Sequence, residues 1–190
     1  MRKIAISGKA NTGKNTFIDF LTNELEKRQW YATCAFADKI KETVEFWFPK
    51  CDSNSLYGAS ELRQNKIKTS LNLPIDQTYR QICLDVGKIG RSYNPKFWIA
   101  HLELNYLEAK NKGQSFYITD LRFPEELEWV KQEGFTLLRI KRDSVEKMDE
   151  LSENIQDLIP DSEFDYVIDN DSDLPSLQRV AKKIAASLMK

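Results

Sequence analysis

A strand-forming run that breaks into two glycines ahead of an amphipathic helix most limits what this chain can fold into. Residues 3–17 read "KIAISGKANTGKNTF". "KIAIS" is almost wholly apolar, as a strand covered on both faces is. Gly8 and Gly13 end the run, and Phe17, Leu21 and Leu25 then recur at helical spacing. Strand, glycine loop and helix in that order open a βαβ unit, and so predict a parallel sheet with helices on its faces. Gly8, Gly13 and Lys14 also stand at the spacing G-x-x-x-x-G-K. A loop of that kind turns successive backbone N–H groups and a helix N-terminus toward one anion.

The residues from Gly8 through Lys9, Ala10, Asn11, Thr12, Gly13, Lys14 and Asn15 to Thr16 are therefore candidates for holding the phosphates of ATP or GTP. Lys14 is expected to sit solvated on the loop and to reach the outer phosphates. Asn15 occupies the position at which the motif calls for a hydroxyl, and "GKNT" moves that hydroxyl one place on, to Thr16. Nucleoside monophosphate kinases show the similar string G-K-x-T. There the threonine contacts inner phosphate oxygens while Mg²⁺ is held largely through water and substrate, as its reluctance to dehydrate allows.

Further strands are predicted at "YATCAFA" (31–37), "SFYITD" (115–120), "FTLLRI" (135–140) and "FDYVID" (164–169), with helical patterns between most of them. The last helix carries Leu177, Val180, Ile184 and Leu188 on one stripe, with Asp173 as its cap and Pro175 in its first turn. Two polar stretches interrupt the rhythm. Residues 49–78 read as a loop-rich insertion with one short helix near 61–69, and residues 141–163 as a second excursion; such loops bind ligands or close over them. A chain of 190 residues forms one compact domain, 1–190, on this reading.

Composition excludes several classes. Lys and Arg number 28 against 29 Asp and Glu, so no overall field draws the chain to nucleic acid or to a membrane surface. No apolar stretch reaches the length of a membrane span, and Cys34, Cys51 and Cys83 fit neither a disulfide framework nor a metal clip, which points to a cytoplasmic protein. His101 lacks a Cys or His partner in the sequence and reads as structural, and no Ser-His-Asp or zinc spacing occurs.

Other residues suit phosphate chemistry. Asp120 and Arg122 follow "YIT" and so fall at the C-terminal edge of the predicted sheet, where ligands of open α/β folds bind. A carboxylate there can hold a magnesium-bound water, and a guanidinium can grip phosphate bidentately. Arg80 and Arg91 share a face if "RQICLDVGKIGR" is one helix, although Gly87 and Gly90 weaken that continuity. Asp38 is either a helix cap or a substrate contact. Arg139, Lys141 and Arg142 cluster at the end of a strand, as cations for a transferring phosphoryl group or as solvated charge. The aromatics of "EFWFP" (45–49) and Trp98 read as core before they read as base-stacking platforms.

Four blocks together resemble the deoxynucleoside monophosphate kinase family best known from bacteriophages: "GKANTGKNT" (8–16), "FADKIKE" (36–42), "TYRQICLDVGKIGRSYNPKFW" (78–98) and "YITDLRFPEELEWVKQEGFTLLRIKR" (117–142). Their order and spacing are similar too, and the combination of T-x-R, G-x-x-x-R and T-D-x-R-F is far more specific than the glycine loop alone. The resemblance implies an α/β, three-layer P-loop kinase fold: a five-stranded parallel sheet flanked by helices, an acceptor-binding insertion at about 49–78 and a lid at about 141–163. It implies transfer of the γ-phosphate of ATP to a deoxynucleoside monophosphate, with Mg²⁺. Lys14, Arg122 and Arg142 become the catalytic candidates; Asp38, Arg80, Arg91 and Arg122 hold the acceptor; Asp120, Asn15 and Thr16 serve the metal. The partners implied are small nucleotides, in a monomer or homodimer. The residues themselves leave open another small-molecule P-loop kinase, such as one acting on a coenzyme precursor, and a nucleotide-binding module without turnover.

Overall fold

The structure, a computed structural model, describes residues 1–26, 30–67, 76–143 and 151–189. The chain forms two compact units, one of residues 1–35 and 104–190 and one of residues 36–103.

The first unit is built on five parallel strands in the order β2-β3-β1-β4-β5. They are β1 (Lys3–Ser7), β2 (Tyr31–Cys34), β3 (Ser115–Leu121), β4 (Thr136–Lys141) and β5 (Tyr166–Asp169). With β1 in the centre, Ser7 pairs with Leu121 on one side and with Arg139 on the other, so β1 and β3 end at one level and β4 runs two residues further in the same direction. Helix α1 (Lys14–Leu25) follows the glycine loop and α8 (Leu174–Leu188) closes the chain. Asp173 caps α8 by accepting from Ser176 N, as its sequence predicts. Phe17, Leu21, Leu177 and Ile184 from these helices bury against Ile4, Ile6, Tyr117 and Leu138 of the sheet. Successive strand residues face opposite ways. Phe116, next to Tyr117, accordingly joins Tyr106, Trp129 and Phe135 in a separate aromatic group. Tyr106 comes from α5 (Phe97–Asn111) and Trp129 from α6 (Pro124–Gln132).

The second unit packs α2 (Phe36–Trp47), α3 (Ser53–Tyr57) and α4 (Tyr79–Tyr93) around Ile40, Val44, Leu56, Tyr79, Ile82, Val86 and Trp98. Three expectations change here. The apolar run after Tyr31 leaves the strand at Cys34, because Phe36, Ile40 and Val44 recur every four residues and form the buried stripe of α2. Asp38 consequently lies inside the first turn of α2, not at its cap, and pairs with Lys41 at 3.6 Å. Phe46 and Trp47 fall off that stripe and are 79% and 50% exposed, so they are not core, whereas Trp98 is buried.

The 49–78 insertion holds α3, nucleated where the Asp52 side chain accepts from Asn54 N and Ser55 N, and a 3-10 turn over Ser60–Gln64. The expected helix near 61–69 is reduced to that turn, and its end lies outside the described residues. Helix α4 is continuous through both glycines. At Gly90 a Cβ would stand 2.6 Å from the Trp98 ring, whose Nε1 donates to Gly87 O at 2.9 Å, so glycine is the residue that lets the indole close on the helix. Among the described residues no helix is long and apolar enough to cross a membrane, and all three cysteines are free.

Candidate functional site

The glycine loop leaves the end of β1 and is built on its own contacts. Asn11 and Gly13 adopt positive φ, 59° and 93°. Gly8 admits the neighbouring strand, since a Cβ there would lie 2.6 Å from Ile140 O. Thr12 is buried, and its hydroxyl donates to Lys9 O at 2.9 Å. Lys14 is only 9% exposed, contrary to the solvated position expected: its ammonium donates to Gly8 O at 2.6 Å and to Lys9 O at 2.5 Å. The loop thus curls around its lysine, because its first two carbonyls turn toward the side chain that opens α1. Asn15 is exposed and Thr16 half-buried, one position further into the helix.

The C-terminal ends of the strands set other candidates on the same edge. Asp120 is the penultimate residue of β3 and Arg122 follows its end; Arg142 follows the end of β4. Lys14, Asp120, Arg122 and Arg142 all belong to the first unit, whereas Asp38, Arg80 and Arg91 belong to the second. In that second unit Arg80 and Arg91 lie on one helix, α4, and the Arg91 guanidinium folds back over Gly87, 3.3 Å from where a Cβ would stand.

A cavity of about 390 Å³ adjoins the loop, lined by Gly8, Lys9, Thr12, Lys141, Arg142 and Asp157 among others. Its far wall comes from the second polar excursion, which carries α7 (Leu151–Asp157); residues 144–150 of the expected lid lie outside the described residues. Arg139 lines the same cavity but is not solvated charge. It is buried, donates to Ile159 O at 2.6 Å, Gln156 O at 2.9 Å and Asp161 at 2.9 Å, and stacks on the Phe164 ring. Lys141 also pairs with Asp161, and Lys9 with Asp157 at 2.7 Å. These cations fasten the excursion to β4 and to the loop. Arg142 is exposed on the cavity wall, beside Lys141.

Two residues escaped the sequence reading. Glu126 is buried at the start of α6, and its Oε2 accepts from Arg122 N at 2.8 Å and Phe123 N at 3.0 Å. Proline followed two places later by glutamate was its signal: "FPEE" puts Pro124 first in the helix and Glu126 where it can reach back to the capping N–H. Asn170, after β5, donates from its side-chain amide to Thr12 O at 2.9 Å across 158 positions. No local pattern reports such a bond.

The site also suits Mg²⁺, which keeps most of its waters and needs few protein ligands. Among the described residues no group of three or more His, Cys, Asp or Glu could hold a metal ion. A carboxylate at a strand end, such as Asp120, on the same sheet edge as the glycine loop is the kind of donor that such a hydrated ion uses.

Comparison with known proteins supplies the rest. No curated protein matches this chain. Among solved structures, dephospho-CoA kinase from Campylobacter jejuni aligns over 97% of this chain and 96% of its own, at 18% identity and a TM-score of 0.49. The family model described as deoxynucleotide monophosphate kinase matches residues 86–181, a span that includes Arg91, Asp120, Arg122, Glu126, Arg142 and Asn170. That span is half of the sequence, and this chain, a phosphotransferase, belongs to the deoxynucleotide monophosphate kinase family.

Proposed function

We propose that the enzyme transfers the terminal phosphoryl group of ATP to a deoxynucleoside monophosphate, giving ADP and the deoxynucleoside diphosphate. The observation that carries this reading is the glycine loop at the end of central strand β1, on the same C-terminal edge of the sheet as Asp120, Arg122 and Arg142, in a chain of this family. The loop from Gly8 to Thr16 holds the phosphates of ATP on its N–H groups. Lys14 leaves its carbonyl partners to bridge the outer phosphates.

In the transfer, an oxygen of the acceptor's phosphate forms a bond to the γ-phosphorus. The bond from that phosphorus to the β–γ bridging oxygen breaks, and its electron pair leaves with ADP. The attacking oxygen is already an anion, so no general base is required. What the protein supplies is alignment, exclusion of water and positive charge where negative charge spreads. Arg122 and Arg142 supply that charge from the sheet edge. Arg80, Arg91 and Asp38 are assigned to the acceptor, and Arg122 to a phosphate. Asp120, Asn15 and Thr16 would hold Mg²⁺, in part through water, and the ion would supply positive charge at the phosphates.

The test is ADP release from ATP and Mg²⁺ against deoxy- and ribonucleoside monophosphates and coenzyme precursors. Release with one or more deoxynucleoside monophosphates is expected. Release only with a coenzyme precursor would replace the acceptor, and ATP binding without release under any acceptor would reduce the protein to a binding module.

A further inference from the structure

The peptide between Thr12 and Gly13 is held from outside the loop. Asn170 is 7% exposed, and its backbone N–H donates to Lys141 O at 2.8 Å, which ties it to the end of β4. Its Nδ2 donates to Thr12 O at 2.9 Å. Because a carbonyl oxygen only accepts, the face that Asn170 turns to the loop must be its NH₂. Gly13 is shaped to this neighbour. It sits at φ 93°, and a Cβ on it would stand 2.7 Å from Asn170 Nδ2. The second glycine of the motif therefore serves two needs here, a left-handed backbone and room for an amide delivered by β5.

The consequence lies in the peptide plane. Every described peptide is trans, so C=O and N–H on either side of one plane point in opposite directions. With the Thr12 carbonyl pinned toward Asn170, the Gly13 N–H is turned away from it, to the side on which the loop receives phosphate. A flip of this one peptide would replace a donor by a carbonyl lone pair facing phosphate oxygens. Such preorganised donors are what make a charged site effective, since nothing need reorient when charge arrives.

We infer that Asn170 is a positioning residue of the ATP site, fixing the Thr12–Gly13 peptide so that its N–H faces the phosphates. This rests on the reading above that the loop holds ATP. It is specific to the donor side, and the residue that provides it lies outside the motif.

The experiment measures ATP dissociation constants, turnover, both Michaelis constants and the thermal midpoint for Asn170→Asp, Asn170→Ala and Lys14→Ala. Asn170→Asp should weaken ATP about tenfold or more, and more than Asn170→Ala, because a carboxylate cannot donate to Thr12 O and repels it. The acceptor's Michaelis constant should stay within about twofold. Lowering the pH should recover ATP binding in Asn170→Asp selectively, since a protonated carboxyl regains a donor. The inference is overturned if both Asn170 variants bind ATP as the parent does while Lys14→Ala has lost turnover. It is equally overturned if ATP and acceptor affinities fall together with the thermal midpoint, which marks a purely structural role. Near-normal turnover in Lys14→Ala would instead remove the loop reading beneath it.

Discussion

The Glu126 carboxylate accepts the backbone N–H of Arg122 at 2.8 Å, so a buried acid sets the course of the chain at the residue assigned to the acceptor's phosphate. Burial first, and then the nearby Asp120, push this carboxyl up to about 8, against the opposing pull of the Phe123 and Arg122 N–H groups and the Arg122 guanidinium. The unfolded chain releases the same proton near 4.5. Across that window the folded state binds more protons. The stability contributed by the group is therefore complete below about pH 4.5 and is lost as pH rises through about 8. Glu126→Gln keeps an acceptor oxygen and removes the titration. In magnesium-free buffer its denaturation midpoint should fall less between about pH 5 and 9 than that of the parent. Equal slopes would show that Glu126 is already ionised in the fold.

Lys14→Ala should lower turnover by about 100-fold or more, because the ammonium acts on charge that develops during transfer. The substitution also removes bonds to Gly8 O and Lys9 O, so a loss of about 1–3 kcal/mol of stability is expected with the fold retained. Circular dichroism melts and single-turnover rates read both effects. Near-normal turnover would remove the loop from the mechanism.

"GKNT" divides between its two polar residues the work of a hydroxyl pair. If Thr16 donates to an inner phosphate, Thr16→Ala loses a bond to a charged group, about 1.5–3 kcal/mol, and ATP affinity drops roughly tenfold or more. If Asn15, which is exposed, meets the metal only through water, Asn15→Ala should cost much less and Asn15→Ser should be tolerated. Affinities across a magnesium titration give the ranking. The opposite order would make Asn15 a direct metal ligand.

Gly90→Ala would drive a methyl group to 2.6 Å from an indole that cannot retreat, since Trp98 Nε1 is bonded to Gly87 O. A destabilisation of about 1–3 kcal/mol is expected from overpacking, read as a lower denaturant midpoint. An unchanged midpoint would mean that the two helical segments separate more readily than this contact allows.

What the sequence discloses follows from how local each determinant is. The run from Lys3 to Leu25 was legible because strand, loop and helix are neighbours in the chain, and Asp120 and Arg122 followed from the end of an apolar strand. Phe36 misled because an apolar residue after a strand extends it or opens a helix, and only the spacing to Ile40 and Val44 decides. Gly87 and Gly90 looked like helix breakers because their reason, the Trp98 ring, lies beyond the helix. Arg139 was misread as an open cation because its acceptors are carbonyls about twenty residues on. Asn170 was invisible for the same reason at greater range.

The division of labour between the two units is the centre of this account, and the Michaelis constants of Arg91→Ala test it most directly. Arg91 lies on α4 in the second unit and is assigned to the acceptor, while the loop that holds ATP lies in the first. The constant for the deoxynucleoside monophosphate should rise about tenfold or more, in line with loss of a charged hydrogen bond, and that for ATP should stay within about twofold. A rise in the constant for ATP with the acceptor's unchanged would contradict the account, because the donor and acceptor sites would then be exchanged.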